Sequence, residues 1–174
     1  MLKKIGIALL LAVSSVGVNA APSSLDLNAD QLYVLNRAYE LGQNMDYGMT
    51  FAAIALTESQ AGKDLVNNVS GDYGVFQNNL RYTVRGLEKK LGYKMTAKQV
   101  RDLKKGLIEN MELSASMTEM NLKYWQEVHG KKAWSKIIAS YNAGFNYRGK
   151  DGQTYLSKVK ANMRKLQNCD CIEQ

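Results

Sequence analysis

Apolar residues recur along most of the chain with the period of an α-helix. Leu32, Leu35 and Tyr39, flanked by Val34, Ala38 and Leu41, give one apolar face. Asn28-Ala29-Asp30-Gln31 supplies a start for that helix and Gly42 a stop. A second helix is predicted from near Thr50 to Ser59, ending before Gly62. The rhythm then breaks. Between 63 and 80, Asn67, Asn68, Ser70, Gly71, Asp72, Gly74, Asn78 and Asn79 are turn formers with short apolar pieces between them. This segment reads as a loop or small hairpin. Thr96 with Gln99 fits a capping box opening a further helix. Leu113, Met117, Met120, Tyr124 and Val128 predict an apolar stripe closed by Gly130, with the methionines as core filler. Residues 133–141 predict another helix, ended by Gly144, and residues 153–167 a last one with a basic outer face. The expectation is a mainly α, single-domain chain with a small irregular or β-hairpin wing.

The first twenty residues stand apart. Lys3 and Lys4 precede an apolar run from Ile5 to Val18, and Val18-Asn19-Ala20 offers small residues for a peptidase. That is the layout of a secretory signal peptide, cleaved after Ala20 or Ala21. The run is shorter than the roughly 20 residues a spanning helix needs, so no stable membrane insertion is expected. Residues 21–174 then form the exported domain, periplasmic or secreted, ending in a short basic helix and tail.

Composition narrows the chemistry. One His and two Cys in 174 residues leave no material for a His/Cys metal centre or a Ser-His-Asp triad. No metal and no cofactor are expected. The formal charge of +7 becomes +5 without Lys3 and Lys4. No nucleic-acid arm or RNA-binding motif accompanies it, so nucleic acid is not an expected partner. His129 falls in the last turn of its helix, where a partly charged imidazole would suit the dipole. Export makes Cys169 and Cys171 candidates for a local disulfide, with intermolecular pairing an alternative.

Three separated motifs carry candidate chemistry. In Ala55-Leu56-Thr57-Glu58-Ser59, Glu58 ends the stripe of Phe51, Ile54 and Ala55. A carboxyl on a buried face resists ionisation, which suits a general acid. Residues 71–79, Gly-Asp-Tyr-Gly-Val-Phe-Gln-Asn-Asn, offer glycines that let a ligand approach the backbone, and Asp72 as a second carboxylate. In Ser140-Tyr141-Asn142-Ala143-Gly144, Tyr141 shares a face with Trp134, Ile137 and Ile138. A buried phenol needs a partner, and Glu58 is the candidate.

In this order, Glu58-Ser59, Gly74-Val75-Phe76-Gln77 and Ser140-Tyr141-Asn142-Ala143-Gly144 resemble the motifs of soluble lytic transglycosylases over roughly residues 30–148. The resemblance implies a lysozyme-like fold and cleavage of peptidoglycan between N-acetylmuramic acid and N-acetylglucosamine. It extends to small exported members serving secretion, conjugation or pilus assembly machines, which become candidate partners beside the glycan strands. It implies Glu58 as the catalytic acid and base, with Tyr141 holding and polarising it. Ser59, Gln77 and Asn142 would orient the site, and Tyr73, Phe76 and Tyr147 are candidates for sugar contacts. Asp72 and Gly74 complete the supporting set. Residues 72–77 also resemble the lysozyme segment that carries a second catalytic carboxylate. A muramidase using Glu58 and Asp72 is therefore the alternative, and a non-catalytic wall-binding component a further one.

Overall fold

The computed structural model describes residues 25–169 together with 171 and 172. The signal peptide expected at 1–20 lies outside them. The described residues form seven α-helices and a small sheet at one side: α1 (Ala29–Gly42), α2 (Gly48–Ser59), α3 (Leu80–Leu91), α4 (Ala97–Glu109), α5 (Met111–His129), α6 (Trp134–Ala143) and α7 (Lys150–Asn168). Three two-residue strands, β1 (Val66–Asn67), β2 (Asp72–Tyr73) and β3 (Asn78–Asn79), lie between α2 and α3. They pair antiparallel in the order β1-β2-β3, with Asp72 opposite Asn79 and Tyr73 opposite Asn78. The mainly α, lysozyme-like architecture with a hairpin wing is the one expected.

Local chemistry explains most boundaries. Asn28 and Gln31 form a reciprocal capping box at α1, and Thr96 and Gln99 form another at α4, so orphan N–H groups at both starts are satisfied. The helix α3 was not anticipated. Leu80, Val84, Leu87 and Leu91 give it a stripe, but Asn78-Asn79 read as turn formers. Asn79 is instead its cap, accepting from the Tyr82 N–H at 3.3 Å.

Helix α2 is buried almost all round. Phe51, Ala52, Ala53, Ile54 and Ala55 are each at most 1% exposed, as a helix at the centre of a core must be. Its alanines let α1 and α7 pack closely. A smaller core of Tyr73, Leu103 and Leu107 lies beneath the wing, between the sheet, α3 and α4. Gly74 joins the two parts. Its φ is +83°, and a Cβ there would stand 2.0 Å from the Leu107 carbonyl oxygen. Only glycine fits.

Two expectations need correction. The expected α5 stripe holds only in part: Leu113 and Met117 pack, half-buried, on the smaller core, but the fully buried face lies elsewhere. It is Ser114, Ala115, Thr118, Leu122 and Trp125, while Tyr124 and Val128 are exposed. The helix is rotated because Asn78 draws the small polar residues inward: its Nδ2 donates to the Ser114 carbonyl and Oγ, both at 3.0 Å. His129 is also not poised to be charged. It stacks on Trp125 and shares a 2.8 Å hydrogen bond with Ser140. Burial, with Lys136 and Arg148 nearby, pushes its pKa down. At the C-terminus, Cys169 and Cys171 are disulfide-bonded to each other. Asn36 Nδ2 donates to the Cys171 carbonyl at 3.0 Å, and Ile172 is buried, so the tail is tied onto α1.

Candidate active site

Glu58 lies in the last turn of α2, and the chain then reverses through Gln60 and Ala61, both in the left-handed region. Ser59 fixes what lies beside that turn. Its Oγ is fully buried, accepts from the Gly62 N–H at 2.9 Å and donates to the Val75 carbonyl at 2.7 Å. The end of α2 is thereby fastened to the 74–78 segment. Other elements hold the same segment. Tyr141 from α6 donates to the Phe76 carbonyl at 2.8 Å. The Phe76 ring packs edge-on against Phe51, with centroids 5.4 Å apart. Thr118 from α5 donates to Asn78 Oδ1 at 3.3 Å. Gln77, at φ +45°, folds its side chain back to donate to the Gly74 carbonyl at 2.9 Å and to the Asp64 carbonyl at 3.2 Å.

These supports set the electrostatics of Glu58. Its pKa is pushed up to about 7, first by burial, which penalises the ionised form, and further by the nearby Asp72 carboxylate. Tyr155 and Lys158, both from α7, act in the opposite direction. The Tyr155 hydroxyl is buried close enough to Glu58 to favour its carboxylate, yet the two fall short of a formed hydrogen bond. The phenols of Tyr141 and Tyr155 stack at 6.1 Å between centroids, and burial with the Glu58 charge raises both pKa values, so both stay neutral. Asp72 accepts from Asn79 Nδ2 at 2.8 Å, which fixes the orientation of its carboxylate. A carboxyl that titrates near neutrality can give a proton and take one back under the same conditions.

The remaining sequence candidates fall into place unevenly. Tyr141 forms no hydrogen bond to Glu58; its hydroxyl donates to the Phe76 carbonyl and lies 3.4 Å from Thr118 Oγ1. Phe76 is fully buried and Tyr73 is 6% exposed, so neither ring is open to a sugar. Alternation along β2 turns Tyr73 away from Asp72 and into the small core. There its hydroxyl donates to Asn68 Oδ1 at 3.2 Å. Ser59 and Gly74 position the segment from inside. Asn142 is exposed at the end of α6. The Tyr147 ring lies 4.7 Å from that of His129, and its hydroxyl accepts from Arg148 Nε at 3.1 Å. Tyr155 is the residue that sequence reasoning missed. The signal was present, since Tyr155, Leu156, Val159 and Leu166 line the buried face of α7.

Among the described residues, no group of three or more His, Cys, Asp or Glu is placed to hold a metal ion. Among them, too, no helix is long and apolar enough to cross a membrane. The sequence model of the Transglycosylase SLT domain matches residues 35–163, which contain every residue described above as acting on Glu58. The chain belongs to the transglycosylase SLT family. An SLT domain brings lytic transglycosylase activity on peptidoglycan, and the Glu58 site lies well inside the matched span. The chain is also 31% identical over 182 residues to an uncharacterised 20.7 kDa protein of the vs-regB intergenic region of Enterobacteria phage T4. That match spans 95% of this chain and 96% of the phage protein. No solved structure matches at a significant level.

Proposed function

We propose that this SLT domain cleaves the β-1,4 bond between MurNAc and GlcNAc without water and releases 1,6-anhydromuramoyl products. The observation that carries the reading is the Glu58 carboxyl, raised to about 7 by burial at the end of α2. In its protonated form Glu58 gives its proton to the glycosidic oxygen, and the C1–O4 bond breaks. Positive charge develops at C1 as that bond breaks. The muramoyl O6 hydroxyl then attacks C1, and the Glu58 carboxylate removes the O6 proton. The acid is restored, one bond has been exchanged for another, and no water is consumed. Tyr155 supports the carboxylate while it exists, and the substrate's own hydroxyl gains the advantage of proximity. On this reading residues 1–20 export the chain, and residues 21–174 open the wall locally in the periplasm. A secretion, conjugation or pilus assembly machine would use such an opening.

The closeness of Asp72 to Glu58 favours one second reading, a hydrolase with Asp72 as nucleophile or electrostatic partner. Two variants separate these readings in assays on purified sacculi. Glu58→Gln should abolish cleavage with the fold retained. Asp72→Asn keeps the Oδ1 that Asn79 donates to and loses only the charge. It should therefore retain activity within several-fold of wild type. An Asp72→Asn loss as deep as that of Glu58→Gln, with melting unchanged, means the two-carboxylate mechanism operates instead.

A further inference from the structure

Residues 80–109, comprising α3, α4 and their connection, hold nine Lys or Arg against three acids. Residues 21–79 and 110–174 together hold twelve against thirteen. The positive charge therefore belongs to one lobe, the one beneath the wing. Its three acids are all spent on lysines: Glu88 on Lys94 at 2.7 Å, Asp102 on Lys98 at 2.7 Å and Glu109 on Lys105 at 3.8 Å. Arg81 and Arg85 stand one turn apart on α3. Neither has a hydrogen bond or ion pair among the described residues, although Arg85 adds to the field at Glu88.

Both arginines line a cleft of about 490 Å³, together with Ser70, Gly71, Tyr73 and Asn79. Lys104 adds a third positive charge beside it, with Nζ 4.4 Å from the centre of the Tyr73 ring. The cleft opens on the wing that carries Asp72. Gly71 and Tyr73 flank Asp72 in the chain, and Asn79 is the residue that donates to the Asp72 carboxylate. Two unpaired guanidinium groups at i and i+4 present planar donor forks that match carboxylates. Each muramic acid of a peptidoglycan strand carries a short peptide with free carboxylates. A strand lying across Glu58 would bring such peptides to the wing.

We infer that this cleft is a carboxylate-binding subsite for a stem peptide of the bound glycan, with Arg81 and Arg85 as its anchors. This role rests on the lytic transglycosylase reading of Glu58, and two assays keep the two ideas apart. The first compares glycan strands bearing stem peptides with strands stripped of them by an amidase. For the wild-type chain, stripping should raise KM about tenfold with little change in kcat, the scale of one or two partly screened charge-assisted bonds. Arg81→Gln/Arg85→Gln should raise KM on peptide-bearing strands by the same factor and leave stripped strands unaffected. Arg81→Lys/Arg85→Lys, which keeps the charge and loses the fork, should recover part of the difference.

The second assay measures binding of the same two substrates to a Glu58→Gln chain, with and without the arginine substitutions. It reads the cleft even if no cleavage occurs, so failure of the lyase reading would not hide the result. Equal affinity for both strands, or a peptide preference that survives loss of both arginines, overturns the subsite. So does an arginine-dependent association with anionic phosphatidylglycerol vesicles that comes without any peptide preference, because the lobe would then face a lipid surface.

Discussion

At the scale of single residues, the proposed reading asks Glu58 to serve as acid and base in turn, and its neighbours pull it both ways. Burial and Asp72 favour the protonated form, whereas Tyr155 and Lys158 favour the ionised one. The balance at about 7 has a cost in stability. Because the folded pKa lies above the ordinary 4.5, Glu58 is harmless below about pH 4.5, and its buried charge becomes a penalty as pH rises through 7. Glu58→Gln should therefore match wild type in melting at pH 4. At pH 8 it should be more stable by about 2–3 kcal/mol, the size of that shift less some screening at the exposed edge. Melting curves across this range check it, and an equal gap at both ends would show that the carboxyl is not held in a raised state. The two phenols should part company. Tyr141→Phe leaves the Phe76 carbonyl without its donor and should cost about 1–3 kcal/mol of stability. Tyr155→Phe removes a hydroxyl with no formed hydrogen bond, so melting should hold. Its effect should instead be a turnover loss of up to about 10²-fold and a pH–rate profile displaced upward, since the ionised Glu58 loses support. A Tyr155→Phe enzyme with wild-type rate and profile would remove that residue from the account.

At the scale of elements, what was legible depended on whether local chemistry or a tertiary partner made the decision. The caps at Asn28 and Thr96, the stripe ending in Glu58 and the turn-rich 63–80 segment are local, and the sequence shows them. The helix α3 was hidden because Asn78 and Asn79 serve turns and caps alike. The face of α5 was misread because Ser114 and Thr118 are buried to satisfy Asn78, and apolar periodicity cannot register that bond. Tyr155 could be placed on the inner face of α7 but not against Glu58. That contact requires α7 to lie across the end of α2, where Asn162 Nδ2 donates to Thr57 Oγ1 at 2.9 Å. The proposed acid–base glutamate is thus visible from its own helix, while its supports depend on elements far away in sequence. The wing carries a sharp test of how the segment facing Glu58 is held. Gly74→Ala meets the Leu107 carbonyl and should destabilise by about 2–4 kcal/mol. Gly71→Ala shares the positive φ but meets nothing within 4 Å, and should cost only about 1 kcal/mol. Denaturant midpoints for the pair should differ accordingly, and equal losses would show that backbone strain alone, not the close approach, makes Gly74 necessary.

At the scale of the whole molecule, an almost neutral helical body and a basic lobe under the wing meet where Glu58, Asp72 and the 74–78 segment lie. The body supplies burial, the phenols and the acid. The wing supplies one carboxylate and a backbone segment knitted into both cores. A single acid–base residue between two such parts is enough only if the substrate provides the nucleophile. That claim can be read directly from the product. Purified peptidoglycan digested by the wild-type chain should release muropeptides lighter by one water than their hydrolysed counterparts, with no reducible muramic acid end, as mass spectrometry before and after borohydride treatment would show. Muropeptides with reducing muramic acid ends and no anhydro form would contradict the account and make the enzyme a hydrolase.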